Sequence, residues 1–455
     1  MSESFDLVVV GTGAGGSVPA FRCRAAGWRV AVIDDQPYGG TCENRGCDPK
    51  KVLVGAAEVI DLHRRMTGFG IEGDARIDWP ALMRFKRTFT DPVPARHQAD
   101  FDQAGIATYH GTARFVADAS MVVTDADGRA HDIEAEHFAI ASGAEPVSLA
   151  IPGEQYIRTS TDFLNLDELP ARIAFIGAGY ISLEFAHVAQ RSGARTIVLG
   201  RRAPLGNFDQ DLVARLVAHS RNIGIDLRTD ANVTSVEKSG DRYRVHFGTG
   251  AGADIVEADL VVHGAGRTPK TRQLELSRAN VATDGRGAIA VNEFLQSSSN
   301  PRVYAAGDCT LPPGALPLTP VAVHDGSVVA SNLLHGNNRM PDYHTIPSVV
   351  FTLPPLATVG LTEAAAREQG FDVRVRCKDT AKWFSNRRLQ EQAAMFKTVV
   401  DNATDKILGA HLLGPDSPDV INTFALAIRS GLPATELRRA IYAYPSSTSD
   451  VRYML

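Results

Sequence analysis

Two cysteines five positions apart are the residues of this chain whose types and spacing point most directly to chemistry. Cys42 and Cys47 lie in the stretch GGTCENRGCDPKK, and the other three cysteines are isolated in sequence. A close pair in a chain with few cysteines is typical of a redox-active or a metal-binding site. Zinc would require two more ligands, and neither a second cysteine pair nor a closely spaced histidine pair lies nearby. We therefore predict a redox-active pair and no metal site.

The composition limits what the rest of the chain can be. Its 455 residues suffice for about two to four domains, and 44% apolar with 22% charged residues is an ordinary globular composition. The net charge of −5 argues against a nucleic-acid partner, and no apolar run approaches the roughly 18 residues of a membrane span. We expect a cytoplasmic protein in which Cys23, Cys309 and Cys377 pack as small apolar side chains.

The segment before the cysteine pair has the pattern of a dinucleotide-binding βαβ unit. In FDLVVVGTGAGGSVPAFRCRAAGWRVAVIDD an apolar strand leads into a glycine turn, a helix and a second strand that ends in an acid. Gly11 permits the tight turn, Gly13 lets the backbone approach a pyrophosphate, and Gly16 lets the helix pack close to the strand. Asp34 is expected to bind a ribose, with Asp35 as an exposed neighbour.

A second unit of the same kind occurs at RIAFIGAGYISLEFAHVAQRSGARTIVLGRR. Gly177 and Gly179 form its turn, and Ser182 replaces the third glycine with a residue that is still small. Its second strand runs into Arg201 and Arg202 instead of an acid, which suits a 2′-phosphate and favours NADPH over NADH. The alternative is that both arginines are simply solvated after a strand.

Two nucleotide units that differ in this way predict two different dinucleotides, and FAD with NADPH is the natural pair. The residues from Lys50 to Leu62 have apolar positions near helical spacing. Cys47 is therefore expected to begin a helix whose dipole lowers the pKa of its thiol. We expect the resulting thiolate to lie against the flavin.

The chain resembles the pyridine nucleotide-disulfide oxidoreductases over nearly its whole length. This family includes glutathione reductase, dihydrolipoamide dehydrogenase and mercuric reductase. Besides the two glycine turns and the cysteine stretch, the likeness rests on motifs that occur in family order: ASGAEP from Ala141, GAGRTP from Gly264, YAAGDC from Tyr304, LTPVAVHDG from Leu318 and VVFTLPPLATVGLTE from Val349.

The resemblance implies roles in FAD binding. Asp34 would hold the FAD ribose, Thr41 the phosphates or the ribityl region, and the backbone of Ala113 the adenine. Asp308 would bind the ribityl chain, and Thr319 would begin a helix whose dipole supports the reduced flavin. The other residues expected at the two dinucleotides lie in the same motifs: Ala14, Gly15, Ser142, Gly143, Ile181 and Gly266.

The resemblance also implies roles around the cysteine pair. Cys47 would contact the flavin, and Cys42 would be the outer thiol that meets the substrate. Lys50 would lie near flavin N5 and pair with Glu184, the alternative being a solvated surface pair. Tyr180 would cover the nicotinamide pocket until NADPH displaces it.

The implied fold is α/β, with two Rossmann-like dinucleotide-binding domains, for FAD and NADPH, and a C-terminal α+β dimerisation domain. The FAD-binding domain would comprise residues 1–150 and 273–338. The NADPH-binding domain would comprise residues 151–272, and the dimer-interface domain residues 339–455. A homodimer is the expected assembly.

The C-terminal segment departs from the family pattern. Disulfide reductases of the family carry a histidine there, followed by a proline and a glutamate, and that histidine is the acid-base catalyst for the thiol. Here YAYPSSTSDVRYML has Tyr444 at the histidine position, and Ser449, followed by Asp450, at the glutamate position. A tyrosine with its ordinary pKa of about 10 can donate a proton but is a poor base at neutral pH. No cysteine follows Cys377, which argues against a dedicated mercuric reductase.

Two more positions depart from the pattern. Asp48 follows Cys47 where the family usually has an apolar residue. Its carboxylate would either disfavour a neighbouring thiolate or complement a helix N-terminus. Lys270 stands where asparagine is common, which we interpret as surface variation.

These observations predict an NADPH-driven flavoprotein oxidoreductase. It would reduce a disulfide, a soft metal ion or a related acceptor through the redox-active Cys42 and Cys47, with Tyr444 as a possible proton donor. Two alternatives remain open. One is a flavin-only quinone reductase or diaphorase with regulatory cysteines, and the other is a catalytically silent, redox-sensing flavoprotein.

Overall fold

The structure, a computed structural model, describes residues 3–250 and 252–455. Within these ranges the first ten strands are β1 (Glu3–Val10), β2 (Val30–Asp34), β3 (Ala107–Ala117), β4 (Ser120–Asp125), β5 (Ala130–Ile140), β6 (Ala144–Pro146), β7 (Arg172–Ile176), β8 (Arg195–Gly200), β9 (Asp226–Thr229) and β10 (Asn232–Ser239). The following strands are β11 (Arg242–Thr249), β12 (Gly252–Ala258), β13 (Leu260–His263), β14 (Arg267–Pro269), β15 (Val303–Ala305), β16 (Ser348–Val350), β17 (Leu356–Gly360), β18 (Val373–Asp379), β19 (Met395–Asp401) and β20 (Ile407–Leu413).

The α-helices in the same ranges are α1 (Ala14–Ala25), α2 (Gly40–Arg45), α3 (Cys47–Met66), α4 (Trp79–Thr90), α5 (Val93–Ala104), α6 (Ser160–Phe163), α7 (Tyr180–Arg191), α8 (Gln210–Asn222), α9 (Thr319–His335), α10 (Glu363–Glu368), α11 (Phe384–Arg387), α12 (Ser417–Arg429), α13 (Ala434–Arg439) and α14 (Val451–Met454). Among the residues that the structure describes, no helix combines the length and the apolar character that crossing a bilayer requires.

The first compact unit comprises Met1–Pro49, Phe85–Val147 and Gly266–Tyr343. Its main sheet runs in the order β1, β2, β3, β4, β5, β15, and an additional pairing joins β1 to β5. β1 pairs in parallel with both β2 and β5, and its last four residues are a continuous buried apolar run, as expected for a strand covered on both faces. The glycine turn and Asp34 therefore emerge at the carboxyl edge of parallel strands, where such sheets bind ligands.

The second compact unit comprises Lys50–Arg84, Ser148–Ala265 and His344–Leu455. It contains a parallel sheet in the order β13, β7, β8, β9 and a three-stranded antiparallel sheet of β10, β11 and β12. A five-stranded antiparallel sheet follows, in the order β16, β17, β20, β19, β18. The parallel sheet repeats the arrangement of the first unit, with α7 entered from a glycine turn after β7.

These elements confirm the predicted fold class. β1, α1 and β2 form the first βαβ unit, and β7, α7 and β8 form the second. Cys47 begins α3 and Thr319 begins α9, as expected from the sequence. The three-domain division at the boundaries given above stays a prediction.

Candidate active site

The first glycine turn joins β1 to α1 in the first unit. Gly11 has a φ of +102°, and a Cβ at this position would lie 2.2 Å from the carbonyl oxygen of Ala141. A Cβ at Gly16 would lie 1.9 Å from the carbonyl oxygen of Gly11. Neither position can therefore accept a side chain without moving backbone, which agrees with a tight turn followed by a closely packed helix.

Asp34 ends β2 beside this turn and accepts hydrogen bonds at both carboxylate oxygens. The backbone N–H and the hydroxyl of Thr12 donate to Oδ2 at 2.8 and 2.7 Å, and the N–H of Gln36 donates to Oδ1 at 2.9 Å. Thr12 was not singled out from the sequence, although a hydroxyl residue inside a glycine turn was a usable signal. The acid expected to bind a ribose is thus fixed to the turn expected to bind the pyrophosphate.

Two predictions at the end of β2 are wrong. The side chain of Asp35 is only 19% exposed, and Nζ of Lys270 donates to its two oxygens at 2.5 and 2.8 Å. Gln273 donates a further hydrogen bond to Asp35 at 3.0 Å. Burial alone would raise the pKa of Asp35, but the hydrogen bonds from Lys270 and Gln273 outweigh it and the pKa is lowered. Lys270 is therefore an ion-pair partner and not surface variation, because its side chain reaches from the segment after β14 to the end of β2.

The residues around the first turn fit FAD. A Cβ on Gly40 would lie 2.4 Å from the Cα of Gly13, so two glycines leave bare backbone at the place expected for the pyrophosphate. The hydroxyl of Ser142 is buried and has no hydrogen-bond partner within residues 3–250 and 252–455, and a bound ligand would satisfy such a group. Burial raises the pKa of Asp308, another predicted FAD residue. The same unit contains the remaining residues predicted for FAD: Ala14, Gly15, Thr41, Ala113, Gly143 and Thr319.

The cysteine pair lies where α2 is followed by α3. Cys42 is in α2, Cys47 is the first residue of α3, and both are thiols in the structure. The two side chains hydrogen-bond with each other, and Sγ of Cys47 is 3.5 Å from Oγ1 of Thr319. The hydrogen bond with Cys47, then burial, raise the pKa of Cys42, and the charge of Asp48 adds to the rise. The arrangement keeps the proton on Cys42 until another group removes it.

Asp48 faces Cys42 from the first turn of α3. Its Oδ1 lies 3.8 Å from Sγ of Cys42. Burial raises the pKa of Asp48, as does the charge of Glu43, while Arg96 acts in the opposite direction. Both effects left open by the sequence are present, since the carboxylate contacts the thiol and also lies at a helix N-terminus.

The second glycine turn joins β7 to α7 in the second unit. Gly177 has a φ of +96°, and a Cβ there would lie 2.5 Å from the carbonyl oxygen of Gly264. A Cβ at Gly264 would in turn lie 2.0 Å from Oγ of Ser182. The serine that replaces the third glycine is therefore accommodated because its neighbour is a glycine. Its hydroxyl is buried without a hydrogen-bond partner in the described part of the chain.

The end of β8 lies beside this second turn. A Cβ at Gly200 would be 2.7 Å from the Cβ of Ala178, which is the middle residue of the turn. The two residues that follow, Arg201 and Arg202, are both exposed. Two guanidinium groups thus follow directly on the strand end that packs against the turn.

The other residues predicted to bind the nucleotides lie at the start of α7 or, for Gly266, in the first unit. Tyr180 and Ile181 begin α7, and Tyr180 is 45% exposed. Gly179 ends the turn just before α7. Gly266 belongs to the first unit, where its carbonyl oxygen accepts a hydrogen bond from the N–H of Val147 at 3.2 Å. Their roles stay predictions.

Lys50 and Glu184 form an ion pair inside the second unit. Nζ of Lys50 is 2.9 Å from Oε1 of Glu184, and the side chains are 14% and 3% exposed. The backbone N–H of Phe351 donates to the same oxygen at 2.8 Å, and the ring of Phe351 lies 4.4 Å from Nζ of Lys50. The pair is therefore not a solvated surface pair. Phe351 lies in the motif that begins at Val349 but was not predicted as part of the site.

The cysteines outside the pair divide into two kinds. Cys23 and Cys309 are fully buried, as predicted, and burial raises the pKa of each thiol to about 12. Cys377 is exposed on β18, an outer strand of the five-stranded sheet, so the prediction that it packs as a small apolar side chain is wrong. Within residues 3–250 and 252–455, no group of three or more His, Cys, Asp or Glu side chains is arranged to hold a metal ion.

The C-terminal segment offers few acid-base groups. Tyr444 is 81% exposed. His411 is buried in β20, where its ring nitrogens are 2.6 Å from the hydroxyl of Thr358 and 3.2 Å from the carbonyl oxygen of Leu361. Both ring nitrogens of His411 are therefore engaged within the fold.

Family models cover most of the chain. Residues 5–326 match the pyridine nucleotide-disulphide oxidoreductase model, and residues 346–455 match the dimerisation domain of the same family. The chain belongs to this family. Pyridine nucleotide-disulphide oxidoreductases are enzymes that use FAD and a nicotinamide nucleotide, so the residues described above belong to a flavoprotein oxidoreductase.

Individual relatives of this oxidoreductase differ in the substrates that they are named for. A glutathione reductase from Burkholderia cepacia is 32% identical over 448 residues, which cover 98% of this chain and 97% of the relative. A mercuric reductase from Lysinibacillus sphaericus is also 32% identical, with 97% and 80% covered. Among solved structures, the Cu(II) complex of the HOCl-induced flavoprotein disulfide reductase RclA from Escherichia coli has a TM-score of 0.89 at 29% identity, covering 100% of this chain and 99% of that one.

Proposed function

We propose that this oxidoreductase uses NADPH and FAD to reduce a disulfide through Cys42 and Cys47. The observation that carries the proposal is the hydrogen-bonded thiol pair at the start of α3, with the hydroxyl of Thr319 beside the sulfur of Cys47. FAD, when bound, would pass an electron pair from the nicotinamide to the disulfide of the two cysteines. Cys47 would be the inner sulfur, and Cys42 the outer sulfur that attacks the acceptor.

Several residues of the chain would support this reaction. Thr319 would orient the sulfur of Cys47 through their 3.5 Å contact. The ion pair with Glu184 would keep the ammonium group of Lys50 in one position, as the family likeness implies for the residue next to the flavin. Tyr444 would donate a proton to the leaving thiolate in a homodimer of this chain.

The choice of NADPH rests on the end of β8. Arg201 and Arg202 are two cations placed directly after a strand end that packs against the nucleotide turn. A guanidinium group binds a phosphate through paired hydrogen bonds, whereas a free 2′-hydroxyl needs an acceptor such as a carboxylate. Tyr180, partly exposed at the start of α7, would cover the nicotinamide pocket until NADPH enters.

A metal ion is the second candidate acceptor. It is favoured by the similar proteins, which include mercuric reductases and an RclA flavoprotein solved as a Cu(II) complex. A screen of acceptors with the purified holoenzyme separates the candidates: oxidised glutathione, 2-hydroxyethyl disulfide, mercuric ion, cupric ion and a quinone. Turnover of a disulfide supports the proposal, and turnover of a metal ion alone contradicts it.

The cysteine pair has its own test. Anaerobic titration with NADPH should bleach the flavin absorbance in the wild type and in Cys42→Ser, whereas disulfide turnover should be lost in Cys42→Ser. Cys377→Ser, the same change at an exposed cysteine outside the pair, should behave like the wild type in both assays. Unchanged disulfide turnover in Cys42→Ser would favour a flavin-only reductase, and a flavin that NADPH does not bleach would favour the silent redox sensor.

A further inference from the structure

The carboxylate of Asp48 contacts one of the two sulfurs expected to react. Its Oδ1 is 3.8 Å from Sγ of Cys42. The other acid of this region, Glu43, is engaged elsewhere, because it pairs with Arg96 and lies 3.2 Å from the ring of His97. Asp48 is also exposed, so a proton that it accepts can exchange with water.

We propose that Asp48 is a catalytic residue that accepts the proton of Cys42 when this thiol attacks an acceptor disulfide. The inference rests on the proposed function and deepens it, because it supplies a base from the same unit as the thiol. Such a base is needed, since the last histidine of the chain is His411, and it is buried with both ring nitrogens occupied. Tyr444 can donate a proton but is not suited to accept one at neutral pH.

The proposed reaction is a thiol–disulfide exchange that begins at Cys42. Sγ of Cys42 attacks one acceptor sulfur, the acceptor S–S bond breaks, and a mixed disulfide forms. The thiol proton passes to Oδ1 of Asp48 and then to the first leaving thiolate. Cys47 loses its proton to water and attacks the sulfur of Cys42 as a thiolate, so that the Cys42–Cys47 disulfide forms. The second leaving thiolate takes a proton from Tyr444, which water reprotonates. The cysteine pair is oxidised by two electrons, and the acceptor disulfide is reduced by the same two electrons.

The charged groups around Asp48 favour this role. Glu43 faces it from α2, and Arg96 faces it from α5, where His97 is held by Glu43. Burial and Glu43 raise the pKa of Asp48 in spite of Arg96. A raised pKa of the Asp48 carboxyl reduces the difference between its pKa and that of the Cys42 thiol, which makes proton transfer from Cys42 easier.

Replacement of Asp48 distinguishes a proton acceptor from a carboxylate that acts only through its charge. If Asp48 were only a nearby negative charge, it would disfavour the thiolate of Cys42 and slow its reactions. Asp48→Asn would then accelerate attack by Cys42. If Asp48 accepts the proton, the same substitution slows the attack near neutral pH, on the order of a hundredfold for the loss of a general base.

The measurement uses holoenzyme reduced anaerobically with NADPH, in the Cys377→Ser background. Iodoacetamide is the probe, because it is uncharged and does not depend on which acceptor is natural. Trypsin cleaves after Arg45, which separates Cys42 from Cys47, so mass spectrometry reports the alkylation of each thiol independently. Rates are measured against pH and in D2O, and 2-hydroxyethyl disulfide, also uncharged, is the second probe.

The expected result has three parts. Asp48→Asn slows alkylation of Cys42 near neutrality, moves the rise in rate to higher pH, and removes the solvent isotope effect of the wild type. Asp48→Glu restores part of the rate, because it keeps a carboxylate within reach. Glu43→Gln slows alkylation of Cys42 far less than Asp48→Asn does, because it lowers the pKa of Asp48 but leaves the Asp48 carboxylate in place.

Two outcomes overturn the assignment: an Asp48→Asn rate equal to or above the wild type, or an isotope effect that survives the substitution. Failure of the proposed function gives a different pattern. The wild type would then fail to turn over 2-hydroxyethyl disulfide or any other disulfide, while the alkylation rates of Cys42 would still decide the role of Asp48.

Discussion

Replacement of Arg201 and Arg202 tests the choice of coenzyme. Both side chains are exposed, and both follow the strand end that packs against the second glycine turn. A hydrogen bond to a charged group contributes about 1.5–3 kcal/mol, and exposure to water places these two contacts near the lower end. Since about 1.4 kcal/mol corresponds to a factor of ten, each alanine substitution should weaken NADPH binding about tenfold, and the double substitution up to about a hundredfold.

The assay is anaerobic stopped-flow reduction of the flavin over a range of NADPH and NADH concentrations. Half-saturation for NADPH should shift by the factors given above, while half-saturation for NADH should stay nearly constant because NADH has no 2′-phosphate. Added salt should reduce the advantage of NADPH in the wild type, since interactions between exposed charges are screened.

Arg195→Ala is the matched control. Arg195 is an exposed arginine on the same strand, β8, but at the end away from the glycine turn. The Arg195→Ala substitution should leave half-saturation for both NADPH and NADH unchanged. The interpretation of Arg201 and Arg202 would be refuted by a wild type that prefers NADH, or by a preference for NADPH that the double substitution does not change.

Two further predictions concern stability. Glu184→Gln removes the buried anion that pairs with Lys50. Removing one partner of a buried ion pair costs about 3–5 kcal/mol, so the free energy of unfolding of the holoenzyme should fall by about 3 kcal/mol, visible as a lower melting temperature in calorimetry. An unchanged melting temperature would mean that the pair adds nothing. Hydrogen bonds from Thr435 and Arg374 lower the pKa of Asp405 to about 2. The contribution of the ionised Asp405 to the free energy of unfolding should therefore be present above about pH 4 and disappear as the pH falls towards 2. After solvent screening it should amount to about 1 kcal/mol. Asp405→Asn should thus lower stability at neutral pH but not at pH 2.

The parts of the site that depend on neighbouring residues could be predicted from the sequence. Gly11 and Gly177 begin turns whose geometry follows from a strand, a glycine pattern and a helix within about ten residues. The start of α3 at Cys47 follows from local helical spacing in the same way. The ion pair of Lys50 and Glu184 could be proposed only through the family likeness, because no local rule connects residues 134 positions apart.

The wrong predictions concern residues whose exposure and partners are set by tertiary packing. Lys270 and Asp35 are 235 positions apart, and nothing near either residue indicates that β14 delivers the lysine to the end of β2. Cys377 shares one face of β18 with Val373 and Val375, so strand alternation alone suggests that it is buried. Exposure rises along this face from Val373 to Cys377, because the strand leaves the core as it proceeds.

The exposed Cys377 also affects how sulfhydryl stoichiometry is interpreted. A reagent added to the native, reduced enzyme would titrate Cys377 together with Cys42 and Cys47, whereas Cys23 and Cys309 would react only after denaturation. One equivalent beyond the pair is therefore no sign of an additional electron carrier. Coulometric or spectroscopic titrations are best interpreted with that position replaced by serine.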